Sequence, residues 1–177
     1  MIKAAELVIP GNQHDPIMCF FTYRYALSNH CAAEFKQGHV LYRSSEQYYM
    51  HQRAIFFGQE DAAQEIMKSG SARDAQKIGK NLPQMSWSDE RERWHEVRIK
   101  HMAEALLLKF NRNSACRHAL LSTQSLFLVE ASPSDRFWGA GADMEQLERG
   151  HPIQGQNMLG TLLVTLRDGI REDWYKD

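Results

Sequence analysis

The chain lacks the features that would place it in several large classes at once. It holds 3 cysteines, Cys19, Cys31 and Cys116, with no C-x-x-C pair among them. An odd, widely spaced set does not make a disulfide framework and fits a reducing compartment, so the expected location is cytoplasmic. Only 5 prolines occur in 177 residues, and no Pro-rich linker, internal repeat or low-complexity stretch divides the chain. Neither sign of charge dominates: 21 Lys and Arg stand against 22 Asp and Glu, a net charge of -1. That balance argues against general binding to the phosphates of nucleic acid, while leaving room for a local contact with a nucleotide. No apolar run approaches the length of a membrane span, so no membrane partner is expected. The segment 1–10 carries Glu6 and has no long apolar core of a signal peptide. There are 8 histidines, yet H-E-x-x-H is absent and no tight Cys/His cluster appears. No metal and no cofactor are therefore expected.

What is present is ordinary globular composition, 43% hydrophobic and 24% charged. The length suits a single domain over residues 1–177 with a core of its own. Segment 17–25 is rich in aromatics and predicts a strand, and Val40 to Tyr42 predicts a second. A helix is expected over Glu46 to Phe57, capped by Ser44 or Ser45. Further helices are expected over Glu60 to Met67 and over Ala72 to Gly79, the last ending at its glycine. The longest helix is predicted for Asp89 to Phe110, with Ser88 as its cap. On it Trp94, Val97, Ala105 and Leu108 fall on one side, and Ile99, Leu106 and Phe110 on the opposite side. A helix apolar on two sides is packed from both, which makes it the expected central element. A short helix over Ala115 to Ser122, a strand at Phe127 to Glu130 and a terminal helix over Leu159 to Ile170 complete the pattern. The fold class is α+β, mostly helical with a small β-sheet.

The densest chemistry lies late in the chain. D-R-F-W-G-A-G occupies residues 135–141, and Asn157, Leu159 and Gly160 follow after a polar segment. Glycines let a backbone approach a ligand closely, Trp138 offers a flat apolar wall and Asp135 offers a carboxylate. Asp135 also follows Ser132-Pro133-Ser134, so a turn role is equally open to it. Earlier, Glu46, Tyr49, Met50, Arg53 and Phe57 share one helical face. Glu46 and Arg53 are two turns apart, roughly 10 Å along the axis. That spacing is too long for a helical ion pair and suits one extended ligand, with the carboxylate at a sugar and the guanidinium at a phosphate. The same residues also fit a plain role, a first-turn acid and an arginine lying over the core.

The ordered motifs resemble the NADAR/YbiA-like family of N-glycosidases. Its elements run along residues 20–170: L-S-N at Leu27-Ser28-Asn29; S-E-Q-Y-Y-x-x-Q-R from Ser45 to Arg53; A-x-K-I-G-K from Ala75 to Lys80; then Trp94, Met102 and Lys109-Phe110. L-L-S-T, L-V-E, D-R-F-W-G-A-G and G-Q-N-M-L-G-T-L-L-V-T-L-R follow. The resemblance implies a YbiA-like α+β fold and hydrolysis of an N-glycosidic bond. It implies as substrate either ADP-ribosylated guanine or a phosphorylated ribosylamino-pyrimidine of riboflavin synthesis. It also implies Glu46 and Asp135 as catalytic acids, with Asn29, Trp94, Trp138, Gly139, Gly141 and Asn157 lining the pocket and Arg53 receiving phosphate. The expected partner is a small ribosyl phosphate or an ADP-ribosylated nucleobase.

The chain departs from the family pattern at Gln47, Met50 and Arg53, where the family has His, Gln and Lys. A lysine can form an imine with an opened sugar and an arginine cannot, so Lys77 or Lys109 would have to stand in if an imine is required. A non-catalytic binder of ADP-ribose or NAD is the alternative that this substitution favours. A polar insertion, residues 142–153, separates the two glycine motifs, either as a lid or as a surface excursion.

Overall fold

The computed structural model describes residues 7–9, 16–82 and 88–172, with side chains over 16–82 and 91–172. In chain order the elements are β1 (Leu7–Ile9), β2 (Ile17–Phe20), β3 (Phe35–Gln37), β4 (Val40–Tyr42), α1 (Ser45–Phe56), α2 (Glu60–Lys68), α3 (Ala72–Lys80), α4 (Ser88–Arg112), α5 (Ser114–Leu121), β5 (Phe127–Glu130), α6 (Met144–Glu148) and α7 (Met158–Arg171). The architecture is α+β and mostly helical. The chain forms two compact units, one of residues 29–113 and one that joins the segment through Ser28 to the segment from Ser114 onward.

The contiguous unit begins with a hairpin. β3 and β4 pair antiparallel, Gln37 opposite Val40, and Gly38 takes the positive φ of 57° that the two-residue turn requires. Composition did not reveal β3, because three residues of F-K-Q carry no strand signal of their own. Phe35 and Tyr42 from the hairpin pack with Tyr48 and Ala105 in one apolar cluster. Within this unit α1 is the hub, packed against α2, α3 and α4, while α4 packs on α1 and β3. Trp94, Ala105, Leu106 and Phe110 are all buried, in keeping with a long helix apolar on two sides. The role expected of Ser88 as its cap lies outside the described side chains.

Gly79 does not end α3, which continues to Lys80 with Asn81 as its cap. Its task is lateral. A Cβ at Gly79 would sit 2.4 Å from the Met50 sulfur and 2.9 Å from the Met50 Cβ, so only hydrogen fits where α3 crosses α1.

The discontinuous unit is built on a three-stranded sheet of order β1-β2-β5. β1 runs antiparallel to β2, and β2 runs parallel to β5 with Ile17 opposite Phe127. The strand expected over 17–25 ends at Phe20, because Thr22 adopts a φ of 73°, incompatible with a continuing strand. Cys19, Val129 and Ala131 from the sheet meet Ala140, Ala142 and Leu147 in the core. Residues 142–153 are therefore not simply a surface excursion. Asp143 and Gln146 form a reciprocal capping box that starts α6, and α6 delivers Leu147 into the core. α7 packs on β5, and its buried Arg167 ties the chain down by donating from Nη1 to the Leu126 carbonyl at 2.7 Å and to Thr123 Oγ1 at 3.1 Å.

Candidate active site

Ser44 fixes where α1 begins. Its backbone is extended, and its hydroxyl accepts the Gln47 amide at 3.1 Å. Glu46 thus falls in the first turn, where the partial positive charge of the helix end favours a carboxylate. The residue is 4% exposed. Its amide donates to the Asn29 carbonyl at 3.1 Å, and the Ser45 hydroxyl donates to Asn29 Oδ1 at the same distance. Asn29 Nδ2 in turn donates to the Met102 sulfur on α4 at 3.2 Å. Asn29, expected to touch substrate, has both amide atoms engaged inside the protein. It acts as the brace that holds the start of α1 and, through it, Glu46.

Gln47 has a comparable task. Its Oε1 accepts the Arg43 amide at 2.8 Å, and its Nε2 donates to the Ile66 carbonyl of α2 at 3.0 Å. It bridges the entry to α1 and the last turn of α2. A neutral amide does this with one acceptor and one donor, which explains why glutamine serves at this position.

Farther along the same face lies an aromatic cluster around Trp94. Its ring is 5.5 Å from Tyr49, 5.3 Å from Phe56 and 6.0 Å from Phe57, and it stacks on His101 at 5.6 Å with a 17° interplanar angle. These neighbours leave Trp94 5% exposed. It is the packing centre of the α1–α4 contact, enclosed by rings on several sides. Arg53 lies at the edge of this cluster. Its Cζ is 6.0 Å from the Phe57 ring centroid, within cation–π range. Its Nε is buried and makes no hydrogen bond. Burial holds His101 below the usual imidazole range, and partial desolvation, then the nearby Arg98 and Arg53, lower the exposed His95.

A second basic group gathers by the Asn29 brace. The Gln76 Nε2 is 3.2 Å from His30 Nε2. Burial, then Lys80, Arg73 and Lys109, hold His30 below its ordinary pKa. Lys109 is fully buried, with Nζ 5.1 Å from the Phe110 ring centroid, whereas Lys77 is exposed on α3.

The loop of residues 135–141, in the other unit, is organised around its own backbone. Asp135 Oδ1 accepts the amides of Phe137 at 2.9 Å and of Trp138 at 2.7 Å. This is the turn role that the preceding Ser-Pro-Ser left open. The Ala140 amide goes to the Glu130 carbonyl and the Gly141 amide to the Asp135 carbonyl. Neither amide is therefore open to a phosphate. Gly139 is a glycine because a Cβ would meet Ser132 Cβ at 2.8 Å and the Asp135 carbonyl at 3.0 Å, and Gly141 because its φ is 66°. At both glycines the close approaches found are to the protein's own atoms. Trp138 is half-buried, edge-on to Phe137 at 4.8 Å.

Asn157, expected to line a pocket, has its side chain engaged with the protein's own backbone. It sits just before α7 with a φ of 48°, and it is 2% exposed. Its Oδ1 accepts the Glu130 amide at 3.0 Å and its Nδ2 donates to the Leu128 carbonyl at 2.8 Å. The side chain imitates a neighbouring strand and closes the free edge of β5. Sequence reasoning did not single out Arg98 and His101, which recur with Trp94 at i, i+4 and i+7 on α4.

A family model for the NADAR domain matches residues 12–171. The chain belongs to the NADAR domain family. Among relatives, it is 32% identical over 139 residues to protein irg-1 of Caenorhabditis elegans, covering 77% of this chain and 65% of that one. It is 36% identical over 107 residues to the riboflavin biosynthesis protein PYRR, chloroplastic, of Arabidopsis thaliana, covering 60% of this chain and 16% of PYRR. Against N-glycosidase Npun_R5314 of Nostoc punctiforme the identity is 35% over 128 residues, covering 71% of this chain and 72% of that one. The chain thus spans under two thirds of irg-1 and about a sixth of PYRR. The solution structure of the E. coli protein YbiA superposes with a TM-score of 0.74 at 24% identity, covering 100% of this chain and 96% of that one. That agreement establishes the YbiA-like fold expected from the motifs.

Proposed function

We propose that this NADAR protein is an N-glycosidase that hydrolyses the bond between a base and a phosphorylated ribosyl or ADP-ribosyl group. The observation that carries the reading is Glu46, a carboxylate 4% exposed at a braced helix start, on the same α1 face as Arg53. Cleavage of a sugar–base bond builds positive charge on the anomeric carbon and ring oxygen. A carboxylate held out of bulk water stabilises that charge more strongly than a solvated one, and it needs no reorganisation when the charge appears. Glu46 is assigned this role, or the neighbouring one of drawing a proton from the attacking water. Water then adds to the anomeric carbon, and the base departs with its bonding electron pair and a proton. Arg53 receives a phosphoryl group farther along the substrate, where its planar fork matches phosphate oxygens. The similarity to a protein named N-glycosidase, over most of both chains, supports this reading.

The test is product analysis with ADP-ribosylated guanine and with a phosphorylated ribosylamino-pyrimidine as separate substrates. Release of free base from one of them, lost in Glu46→Gln with folding intact, is the expected result. Base release by Glu46→Gln at the wild-type rate removes Glu46 from the reaction. A second reading, a binder of ADP-ribose or NAD without turnover, is favoured by Arg53, because an arginine does not form an imine. Tight calorimetric binding of ADP-ribose with no base released from either substrate selects it.

A further inference from the structure

We propose that Arg53 on α1 and His95 and Arg98 on α4 form one clamp for a phosphoryl group, with α4 supplying two of its three basic residues. The inference rests on the ribosyl phosphate reading above and adds the α4 residues to it. The geometry begins with two facing stripes. Tyr49, Arg53, Phe56 and Phe57 recur at helical spacing on α1, and Trp94, Arg98 and His101 do so on α4. Trp94 joins the stripes by contacting Tyr49, Phe56 and Phe57. The Phe57 ring holds the Arg53 guanidinium at the rim of this contact. His95 follows Trp94 directly and is exposed, so the aromatic cluster ends at a surface where the basic groups gather.

Two guanidiniums and an imidazole meet at that rim, with Glu92 beside them. Partial desolvation by its neighbours, then Arg98 and Arg53, disfavour protonation of the His95 imidazole, and Glu92 acts the other way. Arg53 takes part in none of the ion pairs among the described residues. Its Nε is buried without a hydrogen-bond acceptor, an arrangement that a folded protein seldom keeps without a use. Guanidiniums brought to one rim repel each other, and an anion that bridges them relieves the repulsion. A phosphate ester carries about -1.5 to -2 at neutral pH and offers its oxygens to two planar forks at once. Position fits as well. Arg53 is seven residues beyond Glu46, roughly 10 Å along the axis, which is the reach of a sugar and the phosphate beyond it.

Calorimetry on the full chain with ADP-ribose, ribose 5-phosphate and adenosine tests the clamp. Arg98→Gln and His95→Gln are each expected to weaken at least one of the two phosphate ligands, Arg98→Gln by about tenfold or more and His95→Gln by less. Adenosine binding should not change, Arg98→Lys should recover part of the loss, and the distant Arg149→Gln should have no effect. Weakening of both phosphate ligands places the sugar's own phosphate in the clamp; weakening of ADP-ribose alone places the diphosphate there. His95 is exposed, so its variant keeps the test open if an Arg98 variant misfolds. Wild-type affinity for both phosphate ligands in His95→Gln and in a folded Arg98 variant overturns the clamp, as does failure of the wild-type chain to bind either. Base release that persists beside such a result leaves the glycosidase reading intact. Clamp-dependent binding without any base release overturns catalysis and leaves the clamp.

Discussion

The two motif regions use the same kinds of residue in opposite ways. In the 135–141 loop and at Asn157, polar atoms turn inward: Asp135 Oδ1 takes two amides, and Asn157 pairs with the β5 backbone. The glycines of this region make room for carbonyls. Along α1 the auxiliary residues Ser44, Asn29 and Gln47 do the bracing, and Glu46 and Arg53 stand two turns apart on one face. The lesson is that an acid beside glycines is weaker evidence of chemistry than an acid whose neighbours are all engaged in holding it.

This contrast can be broken experimentally. The largest effect on stability is expected at Gly160, where a Cβ would lie 2.0 Å from the Leu128 carbonyl. Gly160→Ala should cost about 3 kcal/mol or more, measured by urea unfolding, since backbone cannot yield as a side chain end can. Next comes Asn157. Removing its amide leaves the part-buried Glu130 N–H and the buried Leu128 carbonyl without that partner, at up to about 1–3 kcal/mol each. Asn157→Gly keeps the left-handed backbone at little strain, so it should lose stability through these bonds alone, while Asn157→Ala should add a strain penalty. If Asn157→Gly unfolds like the wild type, the strand-mimicking role is refuted.

Asp135→Asn sharpens the comparison at the level of charge. Asparagine retains an oxygen that can accept both loop amides, so stability should change by less than about 1 kcal/mol. Turnover that also survives would assign Asp135 to the loop; turnover reduced a hundredfold or more would show that its charge acts on the reaction. The smallest expected effect is at Cys19, in the sheet core. Burial pushes its thiol up to about 11. At pH 8 only about one molecule in a thousand then carries the reactive thiolate, and iodoacetamide should label Cys19 in the folded protein far more slowly than in urea. Equal labelling rates, read by mass spectrometry, would show that the core opens readily.

Most helices were legible because capping residues and apolar spacing act locally. The expected limits at Ala72, Glu60 and the ends of α4, α5 and α7 fall within about two residues of those found. What was not legible depends on neighbours distant in sequence. Gly79 looked like a helix stop, and only the proximity of Met50 shows that it is a crossing point. α6 was hidden in a polar stretch: of its own residues only Leu147 is buried, which carries little periodicity. The candidate site followed the same division. Glu46 and Arg53 could be placed on one face from spacing alone. That Trp94 would be enclosed by rings, and that Asn29 would hold a helix start, required knowing what stands opposite them.

The parallel pairing of β2 with β5 also has a temporal side. Ile17 waits for Phe127, about 110 residues downstream, and at ordinary ribosomal speed that is roughly 5–20 s. All of residues 29–113 emerge within this interval and are free to fold among themselves. During it, β2 presents an unfilled edge to the crowded interior of the cell. A nascent chain stalled before Phe127 should therefore be the species that chaperones hold and that aggregates most readily.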